Sequence, residues 1–287
     1  MSMMTLRKPS VGMATLIAML AFAGNSLLCR VALRDTAIDA GSFTSVRILA
    51  GALVLYLIVL LKTPSEPVAG SGNWRSALAL FAYAGAFSFA YIELATGTGA
   101  LLLFGAVQAT MIGVGLWRGE RLRPLQMLGL GAACTGLVGL LLPGLSGPPP
   151  LSAALMLVSG VAWSVYSLRG KGAGDPTRVT AGNFLRATAP AIALGLVGLP
   201  DATWDTAGLA YAVASGALTS GMGYAIWYLA LRELRATTAA TVQLSVPVIA
   251  AIGGTLFLGE AVTTRLVLAS VAILGGIALV ILRKPAA

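Results

Sequence analysis

Along the chain, apolar runs of about twenty residues alternate with short polar breaks. Ten runs stand out: 11–32, 41–61, 76–95, 98–117, 124–142, 151–168, 180–199, 207–231, 237–258 and 266–282. A helix needs about 20 apolar residues to cross the hydrocarbon core of a bilayer. The pattern therefore predicts an all-α membrane protein with ten transmembrane helices. The breaks carry turn chemistry, most clearly in the Pro- and Gly-rich stretches 62–67, 143–150 and 170–176. Arg7 and Lys8 ahead of the first run have the layout of a signal peptide. That run continues past Ala23 and nine more follow, so it is read as a retained span.

Charged residues make up 10% of the chain, against roughly 25% in a soluble domain. That is too few to cover a water-facing surface, and a lipid bilayer is the expected surrounding. The net charge of +9 raises nucleic acid as a partner. The basic residues sit singly or in pairs between apolar runs, as loop charges do in membrane proteins, and nucleic acid is excluded on that ground. With the N-terminus placed in the cytoplasm, fourteen Lys and Arg fall in inside segments. Three (Arg30, Arg34 and Arg265) fall outside, and Arg47 and Arg186 lie within spans, which accounts for all 19. The positive-inside rule thus puts both termini in the cytoplasm. Histidine is absent, which removes imidazole metal sites and Ser-His-Asp chemistry. The stretch 169–174 lacks phosphate-loop spacing. No enzyme chemistry, metal or cofactor is called for. Cys29 and Cys134 each lie in an apolar run and are read as packing residues.

The linker 143–150 divides the spans into five and five, and the halves echo each other. Gly119-Glu120 follows span four and Gly259-Glu260 follows span nine, 140 residues apart. Thr98, Ala100, Gly113 and Gly136 match Thr238, Ala240, Gly253 and Gly276 at the same offset, and Arg47 matches Arg186 at 139. Because five is odd, two similar halves must cross the membrane in opposite senses. The expected organisation is two inverted five-helix repeats, residues 1–143 and 151–287. Inverted repeats characterise secondary transporters, with the substrate near the midplane where the repeats meet.

The five-plus-five plan, the two Gly-Glu pairs and Pro247 in span nine resemble the EamA-type branch of the drug/metabolite transporter superfamily. Within it the chain looks most like the YddG-type exporters of aromatic amino acids. The resemblance implies a secondary transporter or facilitator, monomeric, in a bacterial inner membrane. It would export aromatic or other neutral amino acids by alternating access. Other cargoes of that class, nucleobase-, thiol- or quaternary-ammonium-like, are the alternative, and a non-transport membrane subunit is the alternative outside it. Val107 stands where the second half has Pro247, so the helix breaks are not expected to be symmetric.

Aromatic and amide side chains within the spans are the candidate binding groups. Tyr83, Phe87 and Tyr91 share one face of span three at i, i+4 and i+8. Trp163 and Tyr166 neighbour each other on span six, and Tyr224, Trp227 and Tyr228 on span eight. An interfacial belt accounts for Tyr91 and Tyr228, near span ends. Trp163 lies about 18 Å into its helix, too deep for a belt. Asn25, Gln108 and Gln243 sit mid-span, where facing lipid is costly. They either glue helices together or face a cavity. The expected substrate-binding set is Trp163, Asn25, Tyr83, Phe87, Gln108, Tyr224, Trp227 and Gln243. Arg47 and Arg186 either snorkel or pair with Glu93, placed inside span three, or with a substrate carboxylate. Gly115 with Gly119, and Ala132 with Gly136, are read as close-packing pairs.

Overall fold

The computed structural model describes residues 10–62, 71–119, 121–142, 147–170, 174–234 and 236–282. Expectations for Arg7, Lys8, Glu120, Arg235, Arg283, Lys284 and much of the three breaks lie outside these residues. Among the described residues all regular structure is helical. The order is α1 (Val11–Asp35), α2 (Ala40–Lys62), α3 (Trp74–Tyr91), α4 (Thr96–Trp117), α5 (Pro124–Leu141), α6 (Pro150–Gly170) and α7 (Pro176–Val197). Then come α8 (Thr206–Ala214), a π-helical stretch (Ser215–Met222), α9 (Gly223–Glu233), α10 (Ala236–Gln243), α11 (Ser245–Leu258) and α12 (Thr264–Leu282). Each of the ten apolar runs coincides with helix. By length and composition, seven helical stretches among the described residues are apolar enough to cross a membrane. Exposed Leu53, Leu128, Leu256, Phe257 and Leu268 leave an apolar outer surface suited to lipid.

The helix ends follow local chemistry. Asn73 accepts from Ser76 N at 2.9 Å to start α3, and Asp205 accepts from Gly208 N at 2.8 Å to start α8. Pro124 and Pro176 occupy first-turn positions, where the missing N–H has no intrahelical partner to lose. Gly119 (φ 92°) and Gly259 (φ 63°) take the left-handed conformation that terminates α4 and α11. The repeated Gly-Glu is therefore built around a helix stop.

Four expectations are corrected. Helix α3 ends at Tyr91, so Glu93 lies in the turn before α4 rather than inside a span. The run 207–231 is one rod with a π-helical centre. The run 237–258 is broken at Leu244. Pro247 has no N–H for the Gln243 carbonyl and its ring crowds that turn; Leu244 N instead closes a tight turn onto Thr241 O at 3.1 Å. Finally, Gly119 is a helix stop and Ala132 is exposed. Close packing falls instead to Gly129 and Gly136, which meet Gly276 and Ala272 of α12. There a Cβ on Gly129 would stand 2.6 Å from the Gly276 carbonyl, so α5 and α12 meet backbone to backbone.

Candidate functional site

The interior polar and aromatic residues gather around one small cavity. Its lining comes from Phe22 and Asn25 of α1, Tyr83 and Phe87 of α3, Leu103 and Phe104 of α4, Trp163 of α6 and Tyr224 of α9. It has room for roughly one or two water molecules, so the site is shut down around its own side chains. Trp163 sits at the centre of the rings, with centroids 4.9 Å from Tyr83, 5.0 Å from Tyr224, 5.6 Å from Tyr166 and 6.4 Å from Phe22. These are edge-on and tilted contacts at favourable separation.

A polar network lies against this cluster. Asn25 Nδ2 donates to the Tyr83 hydroxyl at 3.2 Å, and Arg47 Nη2 donates to the same oxygen at 3.1 Å. The Tyr224 hydroxyl is 3.5 Å from it. Asn25 is oriented from behind, its Oδ1 accepting from Ser215 at 2.7 Å and Thr219 at 3.2 Å. Both hydroxyls come from the π-helical stretch, an irregularity that recurs at functional sites. That stretch also approaches the Arg47 carbonyl closely, where a Cβ on Gly216 would clash with it.

Arg47 does not snorkel. It is 2% exposed, and its guanidinium lies 4.9 Å from the Phe87 ring centroid and 5.4 Å from that of Tyr83. Its Nη1 has no hydrogen-bond partner. Among the described residues the ion pairs are Arg30–Glu260 and Arg34–Asp35, and neither involves Arg47. Glu93 accepts from Ser152 at the start of α6, so a Glu93 pairing for Arg47 is not formed. Arg186 is a separate case. It reaches the Ser71 and Gly182 carbonyls at 2.5 and 2.9 Å, away from the cavity.

Of the eight residues named from sequence, Asn25, Tyr83, Phe87, Trp163 and Tyr224 line the cavity. Trp227 does not, but its ring contacts Phe22 at 5.9 Å. Gln108 is buried one turn beyond Phe104, and Gln243 is half-buried at the α10–α11 break. Phe22, Leu103 and Phe104 were missed. Tyr91 departs from the belt reading, being fully buried with its hydroxyl donating to Thr96 O at 3.2 Å. It belongs to a seal at one end of the molecule. There Arg30 Nε meets Glu260 at 3.1 Å and Arg30 Nη1 donates to the Tyr91 and Ile92 carbonyls. Glu260 also accepts from Thr96 N at 2.7 Å, capping α4 from a distant loop.

A helical, lipid-faced molecule with an aromatic cavity closed inside it defines the class: a multi-pass membrane protein. The sequence profile of the EamA-like transporter family matches residues 150–282. An uncharacterised protein of Pseudomonas aeruginosa is 58% identical over 268 residues, 93% of each chain. The threonine/homoserine exporter RhtA of Salmonella typhimurium is 34% identical over 139 residues, 46% of this chain and 47% of RhtA. A solved crystal structure at 22% identity aligns over 94% of this chain and 98% of its own with a TM-score of 0.68, which shows a shared fold. The second half of the chain, residues 150–282, therefore carries a domain of the EamA-like transporter family.

Proposed function

We propose that the protein exports small amphipathic metabolites, foremost aromatic or other neutral amino acids, by alternating access. Its two inverted repeats, 1–143 and 151–287, would rock about the central cavity, each spanning the membrane five times. Both termini would lie in the cytoplasm of a bacterial inner membrane, with the monomer as the working unit. The carrying observation is the cavity itself. It joins stacked aromatic faces, suited to an apolar side chain, to a converging set of N–H and O–H groups, suited to a charged head. Side chains of both halves line it.

The packing supports the repeat reading. α1 packs on the α8–α9 rod as α6 packs on α3, and α1 meets α11 as α6 meets α4. α2 with α7, α4 with α11 and α5 with α12 pair each helix with its own counterpart. Exchanging the halves therefore maps one set of neighbours onto the other. Asn25, Tyr83, Phe87, Trp163 and Tyr224 are assigned to substrate contact, with Trp227, Gln108 and Gln243 one layer further out.

A second reading, a small hydroxyl amino acid as cargo, is favoured by the threonine/homoserine exporters that match about half the chain. The hydroxyl-rich patch around Asn25, Ser215 and Thr219 would suit such a side chain. Counterflow in proteoliposomes, preloaded with each of the twenty amino acids or with homoserine, tests both. Exchange of phenylalanine, tyrosine or tryptophan supports the first reading, and exchange confined to threonine and homoserine supports the second. Absence of exchange for every amino acid would refute amino-acid export.

A further inference from the structure

We propose that Arg47 is the carboxylate-recognition group of the cavity, and that the Tyr83 hydroxyl occupies, in this closed state, the place of a substrate carboxylate oxygen. The inference rests on the cavity being the substrate site. A guanidinium 2% exposed, with an unbonded Nη1 and no acidic partner among the described residues, is costly. Removing a charge from water is offset only by a good counter-charge and satisfied hydrogen bonds. Ring faces of Phe87 and Tyr83 offset part of that cost, but a neutral residue would pack a helix contact more cheaply. What the site lacks is an anion.

Geometry indicates where the anion goes. Asn25 Nδ2 and Arg47 Nη2 both point at one atom, the Tyr83 oxygen. Asn25 cannot turn its amide round without losing the bonds that Ser215 and Thr219 donate to its Oδ1. Two fixed donors converging on a neutral phenol form a weaker contact than the same donors on a carboxylate, where the bonds become charge-assisted and Arg can engage two oxygens. Arg47 lies behind the Tyr83 and Phe87 rings rather than at the cavity wall. Rotation of Tyr83 as the cavity expands would expose Nη2 and the free Nη1 together. Tyr83 would thus be a positioning residue that covers the cation between cargoes. This arrangement selects substrates bearing a carboxylate and disfavours quaternary-ammonium compounds, which would meet a fixed positive charge.

The test compares exchange of L-phenylalanine and L-threonine with their primary amides in reconstituted wild-type protein, Arg47→Gln and Arg47→Lys. The wild type is expected to prefer each acid over its amide by about ten- to hundredfold, the range for a charge-assisted bond. Arg47→Gln should bring the acid-to-amide ratio down to about one, whatever the absolute rates, and Arg47→Lys should restore part of the preference. Equal exchange of acid and amide by the wild type would overturn the assignment while leaving amino-acid export standing. An unchanged acid-to-amide ratio in folded Arg47→Gln would do the same. Exchange of no amino acid by the wild type would remove the export reading, and Arg47's role with it. If Arg47→Gln fails to give a monodisperse protein, the wild-type ratio decides alone.

Discussion

Trp163 touches four other rings, so its removal separates packing from binding. Trp163→Ala should lower the affinity for aromatic amino acids roughly two- to twelvefold, the equivalent of about 0.5–1.5 kcal/mol of ring contact. Thermal stability should also fall, by a truncation penalty of about 3–5 kcal/mol at most. Unchanged affinity in folded Trp163→Ala, read by substrate-induced thermal shift, would reduce it to a packing residue. Four of the five cavity residues named from sequence, Asn25, Tyr83, Trp163 and Tyr224, carry polar atoms that lipid at mid-span would leave unsatisfied, and the fifth, Phe87, shares a helix face with Tyr83 at i+4. Phe22, Leu103 and Phe104 carry none. Facing lipid or facing the cavity suits them equally, and Gln108, the one amide within α4, is too little polar patterning to say how far along the helix the cavity reaches. Gln108 and Trp227 lie one turn from cavity residues Phe104 and Tyr224, a distance that helical periodicity alone does not resolve.

At the scale of elements, the seal of Arg30, Glu260 and Thr96 ties α1, the α3–α4 turn and the loop after α11 together. Glu260→Gln removes the ion pair and should raise reactivity of a cysteine replacing the half-buried Thr98 toward a membrane-impermeant thiol reagent by several-fold. Reactivity equal to that of the parent would show that the seal is not a closure. At the same end Asp39 joins the α1–α2 corner to Thr203, accepting from Ser42 N at 2.9 Å and Thr203 N at 3.1 Å. Burial pushes its carboxyl up, but bonds from Ser42, Thr203 and Gly41 outweigh that and hold it below the usual value of 3.8. A depressed carboxylate contributes stability that is complete above that usual value and is lost as pH falls through the lower folded one. Asp39→Asn should therefore cost stability at neutral pH and shrink the difference from wild type below about pH 4, as read by melting temperature against pH. A constant difference would exclude the link. The break at Leu244 was announced by Pro247. The π-helical stretch was not announced, because no proline marks it and its Gly and Ser residues also serve ordinary helix contacts.

For the molecule as a whole, the proposed inverted arrangement makes a topological prediction. Cysteines replacing Arg118 and Val262, beside the two Gly-Glu pairs, should be labelled from opposite sides of intact cells, Val262→Cys from outside. Labelling of both from one side would refute the inversion. The seven helices apolar enough to cross a membrane are fewer than the ten apolar runs. The shortfall falls on α3 and α7, whose polar and aromatic residues dilute their hydropathy, and on the α8–α9 rod, which the π-helical stretch divides into α-helices of 9 and 11 residues. The contact of α5 with α12 has a further consequence. Neither helix lines the cavity, and their glycines bring the two backbones together with no side chain between them. If the halves rock as proposed, the two helices would act as the spine of a book: the halves would be bound along an edge remote from the cargo, and pages part most widely on the side away from the binding. A bulky residue at Gly276 would therefore split the volume before it changed what the volume holds, lowering the yield of folded protein while leaving the choice of cargo in the surviving fraction untouched.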